Sequence, residues 1–225
     1  MKAVIVYSGG LDSTVLLYDL FRSVLQKRLE ALYPITFDYG QRHQKEIGAA
    51  VRICDWLSLM HIIVDVKNLG KTILCASSQT DLSIEVPEGH YTDETMKQTV
   101  VPNRNMIMVS MAIGYAITVG AESVYYAAHA GDHTIYPDCR PEFLTRMIAV
   151  AKVCHSYPVD IKAPYIILSK ADIVGIGAAL DVPFHRTWSC YKNLDYHCGA
   201  CGTCVERAEA FTIAGVKDLT RYTNA

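Results

Sequence analysis

Apolar runs alternate with helical patterns along most of this chain. Residues 3–7 are continuously apolar, which is typical of a strand covered on both faces. From Ser13 to Leu25 the apolar positions recur at helical spacing. The same alternation predicts later strands at 35–37, 62–64, 123–126 and just before Pro164, and helices over 44–56, 105–119, 141–151 and 169–180. Such alternation predicts an α/β fold, a doubly wound parallel sheet that binds ligands at the carboxyl ends of its strands.

One stretch, from Val66 to Val101, interrupts this rhythm with scattered Ser, Thr, Asp and Glu. Long connections without a clear pattern are uncommon in compact domains and often form lids or binding loops. We therefore expect this stretch to be a lid or a binding loop.

Composition limits the classes of function. With 225 residues, 51% of them hydrophobic, the chain can bury one core; we expect a main domain over 1–185 and a small C-terminal element over 186–225. A net charge of −2, without long basic runs, argues against tight electrostatic binding to nucleic acid. No apolar run reaches the roughly 20 residues of a membrane span. The first residues lead straight into a strand, which indicates that they are not a signal peptide.

The loop Ser8-Gly9-Gly10-Leu11-Asp12-Ser13 joins the first strand to the first helix. Its glycines let backbone N–H groups surround an anion at a helix N-terminus. The Ser8 and Ser13 hydroxyls can donate further bonds, and Asp12 would meet phosphates through Mg²⁺. A glycine turn capped by Ser13 is the simpler alternative. The Walker lysine is absent, and the loop resembles that of N-type ATP pyrophosphatases, which cleave ATP between its α and β phosphates and leave AMP on the substrate.

Four of the eight cysteines are scattered, and four are clustered near the C-terminus. Cys198, Cys201 and Cys204 have C-x₂-C-x₂-C spacing, and Cys190 lies shortly upstream. Four thiols suit a closed tetrahedral Zn²⁺ site. An iron–sulfur cluster is the alternative, although the ferredoxin pattern ends in a Cys-Pro pair that is missing here; His197 could also replace one thiol. Clustered and scattered cysteines together favour a reduced, cytoplasmic protein.

Two further polar segments follow a strand or precede a helix. The segment 37–43 follows the second strand, where its backbone could hold adenine or ribose; a plain turn and helix start is the alternative. The segment 101–105 precedes a buried helix, which Asn103 or Asn105 could cap. Arg104 is a candidate phosphate ligand, because a cation at a helix N-terminus is favourable only beside an anion.

The segment 129–143 follows the fourth strand and is rich in ionisable side chains. A carboxylate can grip the amidine edge of a guanine-like ring, and Arg140 can bind a substrate carboxylate. Other roles are open for five residues: helix caps for Asp138 and Glu142, exposure to solvent for His129 and His133, and packing for Cys139.

Together these segments resemble the 7-cyano-7-deazaguanine synthase family (QueC) of queuosine and archaeosine biosynthesis. The matching pieces run nearly end to end: residues 8–13, 37–43, 101–105, 136–143 and the last four cysteines. One departure is Asn103, where many members of the family carry glycine.

The resemblance implies the Rossmann-like fold of the adenine nucleotide alpha hydrolase type and an ATP-driven ligase. The reaction it implies converts 7-carboxy-7-deazaguanine and ammonia to the nitrile. ATP first adenylates the carboxylate, ammonia displaces AMP to give the amide, and a second ATP activates the amide for elimination. It further implies a homodimer. A separate glutaminase domain does not fit in 225 residues, so we expect free ammonia as the nitrogen source, and from the net charge we expect no stable binding of nucleic acid.

The resemblance and the motifs assign roles to individual residues. The expected catalytic residues are Ser8, Asp12, Ser13, Arg104 and Lys170. The expected nucleotide ligands are Ser8, Gly9, Gly10, Leu11, Asp12, Ser13, Thr14, Phe37, Tyr39 and Arg104. The expected substrate ligands are Gln41, His43, Asp132, Asp138 and Arg140. The expected zinc ligands are Cys190, Cys198, Cys201 and Cys204.

Three alternative functions stay open at this point. A tRNA-thiolating enzyme with the same loop would need a basic face and a catalytic cysteine pair. A family variant could stop at the 7-amido-7-deazaguanine. A zinc-ribbon module that only recruits a partner would leave the phosphate loop unexplained.

Overall fold

The computed structural model of the chain describes residues 1–90, 93–132 and 136–223. Its centre is a five-stranded sheet in the order β3-β2-β1-β4-β5, and every pairing in it is parallel. The strands are β1 Lys2–Val6, β2 Ala31–Asp38, β3 Ile62–Asp65, β4 Ser123–Tyr125 and β5 Asp160–Lys162. The order reverses between β1 and β4, which creates the crevice where doubly wound sheets bind ligands. The predicted fold class is confirmed.

Helices cover both faces of the sheet. They are α1 Leu11–Leu25, α2 Lys45–Trp56, α3 Lys67–Thr72, α4 Asp93–Lys97, α5 Arg104–Val119, α6 Pro141–Ala151, α7 Lys170–Ala179 and α8 Gly202–Ala214. The helix α1 begins at Leu11 rather than at Ser13, because Gly10 is its N-cap. The helix α7 begins as predicted after Ser169, whose hydroxyl forms a capping box with Asp172. Within the described residues no helix is long and apolar enough to cross a membrane.

Two apolar clusters lie on opposite faces of the sheet, and β1 contributes to both. Val4 packs into the cluster that contains α5 and α6, whereas Ala3 and Ile5 pack into the cluster of α1, α7 and α8. All three side chains are fully buried, as expected for the central strand of a covered parallel sheet. This burial fixes the end of β1, from which the phosphate loop emerges.

The stretch 66–101 contains the short helices α3 and α4 and is tied to the main domain by Arg42. Its guanidinium donates hydrogen bonds to the carbonyl oxygens of Ser78, Asp81 and Ile84, at 2.9, 2.9 and 2.8 Å. Three bonds from one cation hold this connection against the start of α2. Arg42 therefore has a structural role here.

The C-terminal segment is anchored by a buried arginine on α8, Arg207. It forms an ion pair with Asp218 at 3.1 Å and donates to Thr187 and Thr220 at 2.9 and 2.8 Å. Since α8 also packs on α7, the segment lies against the main sheet. The division into 1–185 and 186–225 stays a prediction.

Candidate active site and thiol cluster

A cavity of about 240 Å³ opens at the carboxyl ends of β1, β2 and β4. The phosphate loop forms its floor, and the residues that follow β2 and β4 form its sides. Among the predicted site residues, those on its wall are Ser8, Gly10, Leu11, Asp12, Ser13, Phe37, Tyr39, His43, Arg104 and Lys170. The topology thus brings most of the expected nucleotide ligands together.

The phosphate loop is held open by its own hydroxyls. Ser8 Oγ accepts a hydrogen bond from Gly10 N at 3.1 Å and lies 3.1 Å from Ser13 Oγ. Ser13 Oγ also donates to the carbonyl oxygen of Gly10 at 3.3 Å. These contacts place both serines and the N-terminus of α1 around one concave site, which suits an anion.

Gly9 allows the loop to approach α2 closely. Its φ is +89°, and a Cβ built there would lie 2.2 Å from the Glu46 carbonyl oxygen and 2.7 Å from Ala50 N. Any side chain would meet the backbone of α2, so only glycine fits. Gly9 shapes the loop, while Gly10 lies on the cavity wall.

Asp12 offers an unpaired oxygen at the cavity. Its Oδ1 is buried and has no hydrogen-bond partner among the described residues. Its Oδ2 lies 3.9 Å from Nε2 of His129. An unpaired buried carboxylate oxygen is costly without a cation or donor, and a hard divalent cation bound with phosphates would supply one.

His129 is buried and lies on the cavity wall. The alternative in which it is exposed to solvent is therefore wrong. Its Nδ1 accepts a hydrogen bond from Gly131 N at 3.2 Å, so the proton of the neutral ring is on Nε2, which faces Asp12. Sequence reasoning missed this contact because the burial of a side chain after a strand depends on elements elsewhere in the chain.

Arg104 reaches the cavity beside Tyr39, and its guanidinium lies 3.5 Å from the Tyr39 hydroxyl. Burial raises the pKa of Tyr39, so its hydroxyl stays protonated at neutral pH. Asn103, one of the two predicted caps, is the N-cap residue of α5, but its side chain makes no capping hydrogen bond. Asp138 Oδ2 accepts from the Asn105 N–H at 3.2 Å instead. Asn103 has a φ of 56°, a left-handed conformation that glycine adopts freely and asparagine tolerates.

Lys170 lies at the start of α7 and reaches across the cavity towards α8. Its ammonium group is 3.1 Å from the Glu206 carboxylate, and both side chains line the cavity. The contact links the main domain to the C-terminal element. A bound anion would compete with Glu206 for this ammonium group.

Several predicted ligands are not on the cavity wall. The amide of Gln41 is buried and closes the turn after β2, accepting from Tyr39 N at 3.0 Å and donating to the Phe37 carbonyl at 3.2 Å. Thr14 Oγ1 donates to the Gly10 carbonyl at 2.7 Å, and Arg140 is exposed at the start of α6. Asp132 and His133 lie outside the residues whose side chains the structure describes. The roles of Gln41 and Arg140 as substrate ligands stay predictions.

The four clustered cysteines do converge. The sulfur atoms of Cys190, Cys198, Cys201 and Cys204 all lie within 4.8 Å of one another, and all four residues are buried. Backbone N–H groups point at these sulfurs, including Cys201 N to Cys198 Sγ at 3.2 Å, and such bonds stabilise thiolates. The hydrogen bond with Cys201 raises the pKa of Cys190 to about 12, since two adjacent thiolates repel. A cation would remove this repulsion, so the cluster could hold a metal ion.

His197 does not compete with the thiols. Its Nε2 accepts a hydrogen bond from Ser189 N at 3.0 Å, and its ring packs between Trp188 and Tyr222. Burial lowers its pKa to about 4, so the ring is neutral. The alternative in which His197 replaces a thiol is not supported, because its Nε2 is already an acceptor within the segment.

The cysteine segment also forms part of the cavity wall, which sequence reasoning missed. The residues involved are Trp188, Ser189, Tyr191, Thr203, Glu206 and Arg207. The Trp188 N–H donates to the Gly9 carbonyl at 3.0 Å, so this wall is joined directly to the phosphate loop. The cysteine spacing was visible in the sequence, but the partner against which the segment packs was not.

The parallel order β3-β2-β1-β4-β5, with a serine-glycine loop after β1, places the chain in the fold class of the PP-loop enzymes. Two solved structures share this fold. U34-tRNA thiolase NcsA from Methanococcus maripaludis aligns with a TM-score of 0.53 and 17% identity, over 95% of this chain and 64% of that chain. NMN synthetase from Francisella tularensis aligns with a TM-score of 0.53 and 13% identity, over 96% and 78%. At these identities the likeness concerns the fold alone.

Sequence comparison narrows the class to one family. The model of the family described as "Queuosine biosynthesis protein QueC" matches residues 2–215. The 7-cyano-7-deazaguanine synthase of Methanoregula boonei is 50% identical over 99% of this chain and 99% of its own length. That of Psychromonas ingrahamii is 48% identical over 98% and 97%. The chain therefore belongs to the QueC family.

Proposed function

We propose that this chain is an ATP-dependent ligase that converts 7-carboxy-7-deazaguanine and ammonia to 7-cyano-7-deazaguanine. Relatives that match at 45–50% identity over nearly their whole length carry the name of this synthase. The single structural observation that carries the proposal is the unpaired Asp12 Oδ1, buried on the wall of a cavity beside the Ser8–Ser13 loop. A class that adenylates a carboxylate needs such a place for a triphosphate and its cation.

The loop supplies the triphosphate site. Backbone N–H groups and the hydroxyls of Ser8 and Ser13 bind phosphate oxygens, and Asp12 holds the Mg²⁺ that accompanies ATP. When bound, this ion neutralises charge on the phosphates. Arg104 and Lys170 approach the same cavity from other elements. Positive charge placed where pyrophosphate departs stabilises the transition state of adenylation.

The reaction uses the cavity twice. The substrate carboxylate attacks the α-phosphorus of ATP, pyrophosphate leaves, and ammonia then displaces AMP to give the amide. The amide oxygen attacks the α-phosphorus of a second ATP and pyrophosphate leaves; loss of AMP and of both N–H protons then gives the nitrile. The aromatic side chains Tyr126, Tyr136 and Tyr191 lie on the wall, where a planar deazapurine can stack.

The four thiols hold Zn²⁺ in a structural role. Four buried sulfurs leave no ligand position for a substrate, which is the pattern of closed zinc sites. The ion then fixes the segment that carries Trp188 and Tyr191 into the cavity. Zinc here would order the site without taking part in the reaction.

We assign the enzyme to the cytoplasm as a homodimer that binds no nucleic acid stably. The support is the net charge of −2 and the resemblance to the family. Light scattering of the purified protein gives the assembly state, and a monomer mass would remove the dimer from this proposal.

Product analysis tests the function. Purified protein is incubated with ATP, Mg²⁺, ammonia and 7-carboxy-7-deazaguanine, and the deazapurine is read by mass. We expect the nitrile, with AMP released. Asp12→Asn should lower the rate by on the order of 100-fold or more, as loss of a charge-stabilising group does. Asp55→Asn, exposed on α2, is the matched control and should keep the wild-type rate.

Other products separate the alternatives. The amide as the final product would identify a variant that stops one step early. Release of AMP without any change in the deazapurine would remove the substrate from the proposal and leave the ATP site in place.

A further inference from the structure

His43 and Glu46 form a buried pair on the cavity wall, apart from the phosphate ligands. Nε2 of His43 lies 3.2 Å from Oε1 of Glu46, and the two side chains are only 4% and 13% exposed. Both residues line the cavity. Nδ1 of His43 is buried without a hydrogen-bond partner among the described residues. The two residues are three positions apart in one turn, in which the Glu46 N–H donates to the His43 carbonyl oxygen at 3.1 Å.

The contact between His43 and Glu46 allows a hydrogen bond from the ring to the carboxylate. An ionised carboxylate only accepts hydrogen bonds, and at 3.2 Å the tautomer of His43 with its proton on Nε2 can donate to Glu46. The ring is held in place by Tyr191, whose ring centroid is 4.9 Å from that of His43. His43 therefore can orient the carboxylate through Oε1.

Glu46 also stands beside the phosphate loop. Its carbonyl oxygen is the atom that a Cβ on Gly9 would meet at 2.2 Å. The first turn of α2 is therefore packed against the loop, and its carboxylate faces the space above it. A substrate adenylated at this loop would have its reacting carbon within the same cavity.

The other carboxylates described on this wall have different partners. Glu206 is paired with Lys170 at 3.1 Å, and Asp12 lies within the phosphate loop itself. Glu46 lies 3.2 Å from a histidine and outside the phosphate loop, whereas the other histidine-facing carboxylate, Asp12, is 3.9 Å from His129 and belongs to the loop. A histidine can orient a carboxylate without suppressing its basicity as a fixed cation would.

We propose that Glu46, positioned by His43, is the general base that removes N–H protons in the steps after adenylation. This proposal rests on the proposed function. In the last step, one proton of the adenylated amide nitrogen passes to Glu46. The N–H electron pair becomes the third C–N bond, and the C–O bond breaks with its electrons on the departing AMP. The proton then leaves to water, and no oxidant or reductant is needed.

Two assays separate this role from nucleotide binding. Adenylation of the acid needs no base, so Glu46→Gln should keep acid-dependent exchange between ATP and pyrophosphate within about threefold. Nitrile formation should fall by on the order of 100-fold, the usual contribution of a general base. Because excess ammonia can itself accept a proton in the first nitrogen step, the amide should accumulate.

The histidine is tested by a pair of variants. His43→Ala leaves Glu46 without its donor and should also raise the ratio of amide to nitrile. His43→Gln retains an N–H donor on a similar reach and should restore most nitrile formation. Glu209→Gln, exposed on α8, is the matched control and should behave as wild type. Thermal unfolding of each variant establishes that it is folded.

Three results would overturn the proposal. Equal losses of exchange and of nitrile in Glu46→Gln would make Glu46 a nucleotide ligand. An unchanged ratio of amide to nitrile would remove it as the base. Failure of His43→Gln to exceed His43→Ala would remove the orienting role of His43. Failure of the wild-type enzyme to make nitrile would instead contradict the proposed function, because that measurement involves none of these variants.

Discussion

The two walls of the cavity are held by different forces. The strand wall, which comprises the phosphate loop and the residues after β2 and β4, continues from a central sheet whose β1 side chains are largely buried. The cysteine wall, residues 188–191 and 203–207, is held by four thiols and by the hydrogen bonds of Arg207. The strand wall depends on backbone pairing and apolar burial, and the cysteine wall on a few polar contacts and a cluster of thiols.

The two walls also have different expected functions: one carries the phosphate ligands, and the other closes the cavity. The expected phosphate ligands Ser8, Asp12 and Ser13 stand on the strand wall, whereas Tyr191 and Trp188, on the cysteine wall, close the space above them. Substitutions in the cysteine wall should open the cavity and leave the phosphate loop folded. Substitutions in the phosphate loop should destabilise the hydrophobic core.

The largest effect is expected from breaking the cysteine wall. Cys201→Ser, or removal of the ion by a chelator, should lower the free energy of unfolding by at least about 4 kcal/mol, because structural zinc contributes about 10–16 kcal/mol in small zinc domains. Chemical denaturation and metal analysis measure the two quantities. Hydrogen exchange should rise in 188–223 before it rises in β1.

The scattered thiol Cys75, which is exposed, provides the control, and Cys75→Ser should change neither stability nor metal content. Loss of catalysis in Cys201→Ser with an unchanged unfolding transition would contradict the structural assignment and make the metal catalytic.

A smaller but still large effect is expected at the joint between the loop and α2. Gly9→Ala places a Cβ at 2.2 Å from a backbone oxygen at a φ of +89°. The strained backbone and the overlap together should cost about 3–5 kcal/mol. Urea denaturation measures the change, and acid-dependent ATP exchange should be lost with it.

Gly114 is the matched control, because it lies within α5 and a Cβ there would meet no atom within 4 Å. Gly114→Ala should stabilise the protein by about 0.5–1 kcal/mol, since alanine is the better helix former. If both substitutions changed stability equally, the close approach of Gly9 to α2 would not be what holds the loop.

Most of the strand wall could be predicted from the sequence. Continuous apolar runs such as residues 3–7 identify buried parallel strands, and a glycine loop after the first of them identifies the phosphate site. These signals are local, so each is readable within about ten residues. The capping box at Ser169 was predictable for the same reason.

The cysteine wall was only half predictable. The spacing of Cys198, Cys201 and Cys204 predicted a cluster of thiols, but no local pattern placed Tyr191 against His43. That contact joins the start of α2 to a distant segment and depends on how the whole chain packs. Glu46 was missed because a carboxylate in the first turn of a helix is common on electrostatic grounds alone.

The smallest effect is expected where the start of α7 contacts the cysteine wall, through Lys170 and Glu206. Ser169 Oγ accepts from Asp172 N at 3.1 Å and holds the turn that carries Lys170 towards Glu206. Ser169→Ala should cost about 1 kcal/mol of folding free energy, a typical loss for a helix cap.

The Ser169 side chain and N–H lower the pKa of Asp172 in the folded protein. A depressed carboxyl pKa adds stability above the unfolded pKa, and this contribution is lost as the pH falls through the folded value. In Ser169→Ala the backbone bond remains, so the pKa of Asp172 should rise only part of the way towards its ordinary value, as NMR titration would measure. Ser110→Ala, exposed on α5, should leave both quantities unchanged. A full return of the Asp172 pKa would mean that the first turn of α7 has frayed, and the contact between Lys170 and Glu206 should then weaken with it.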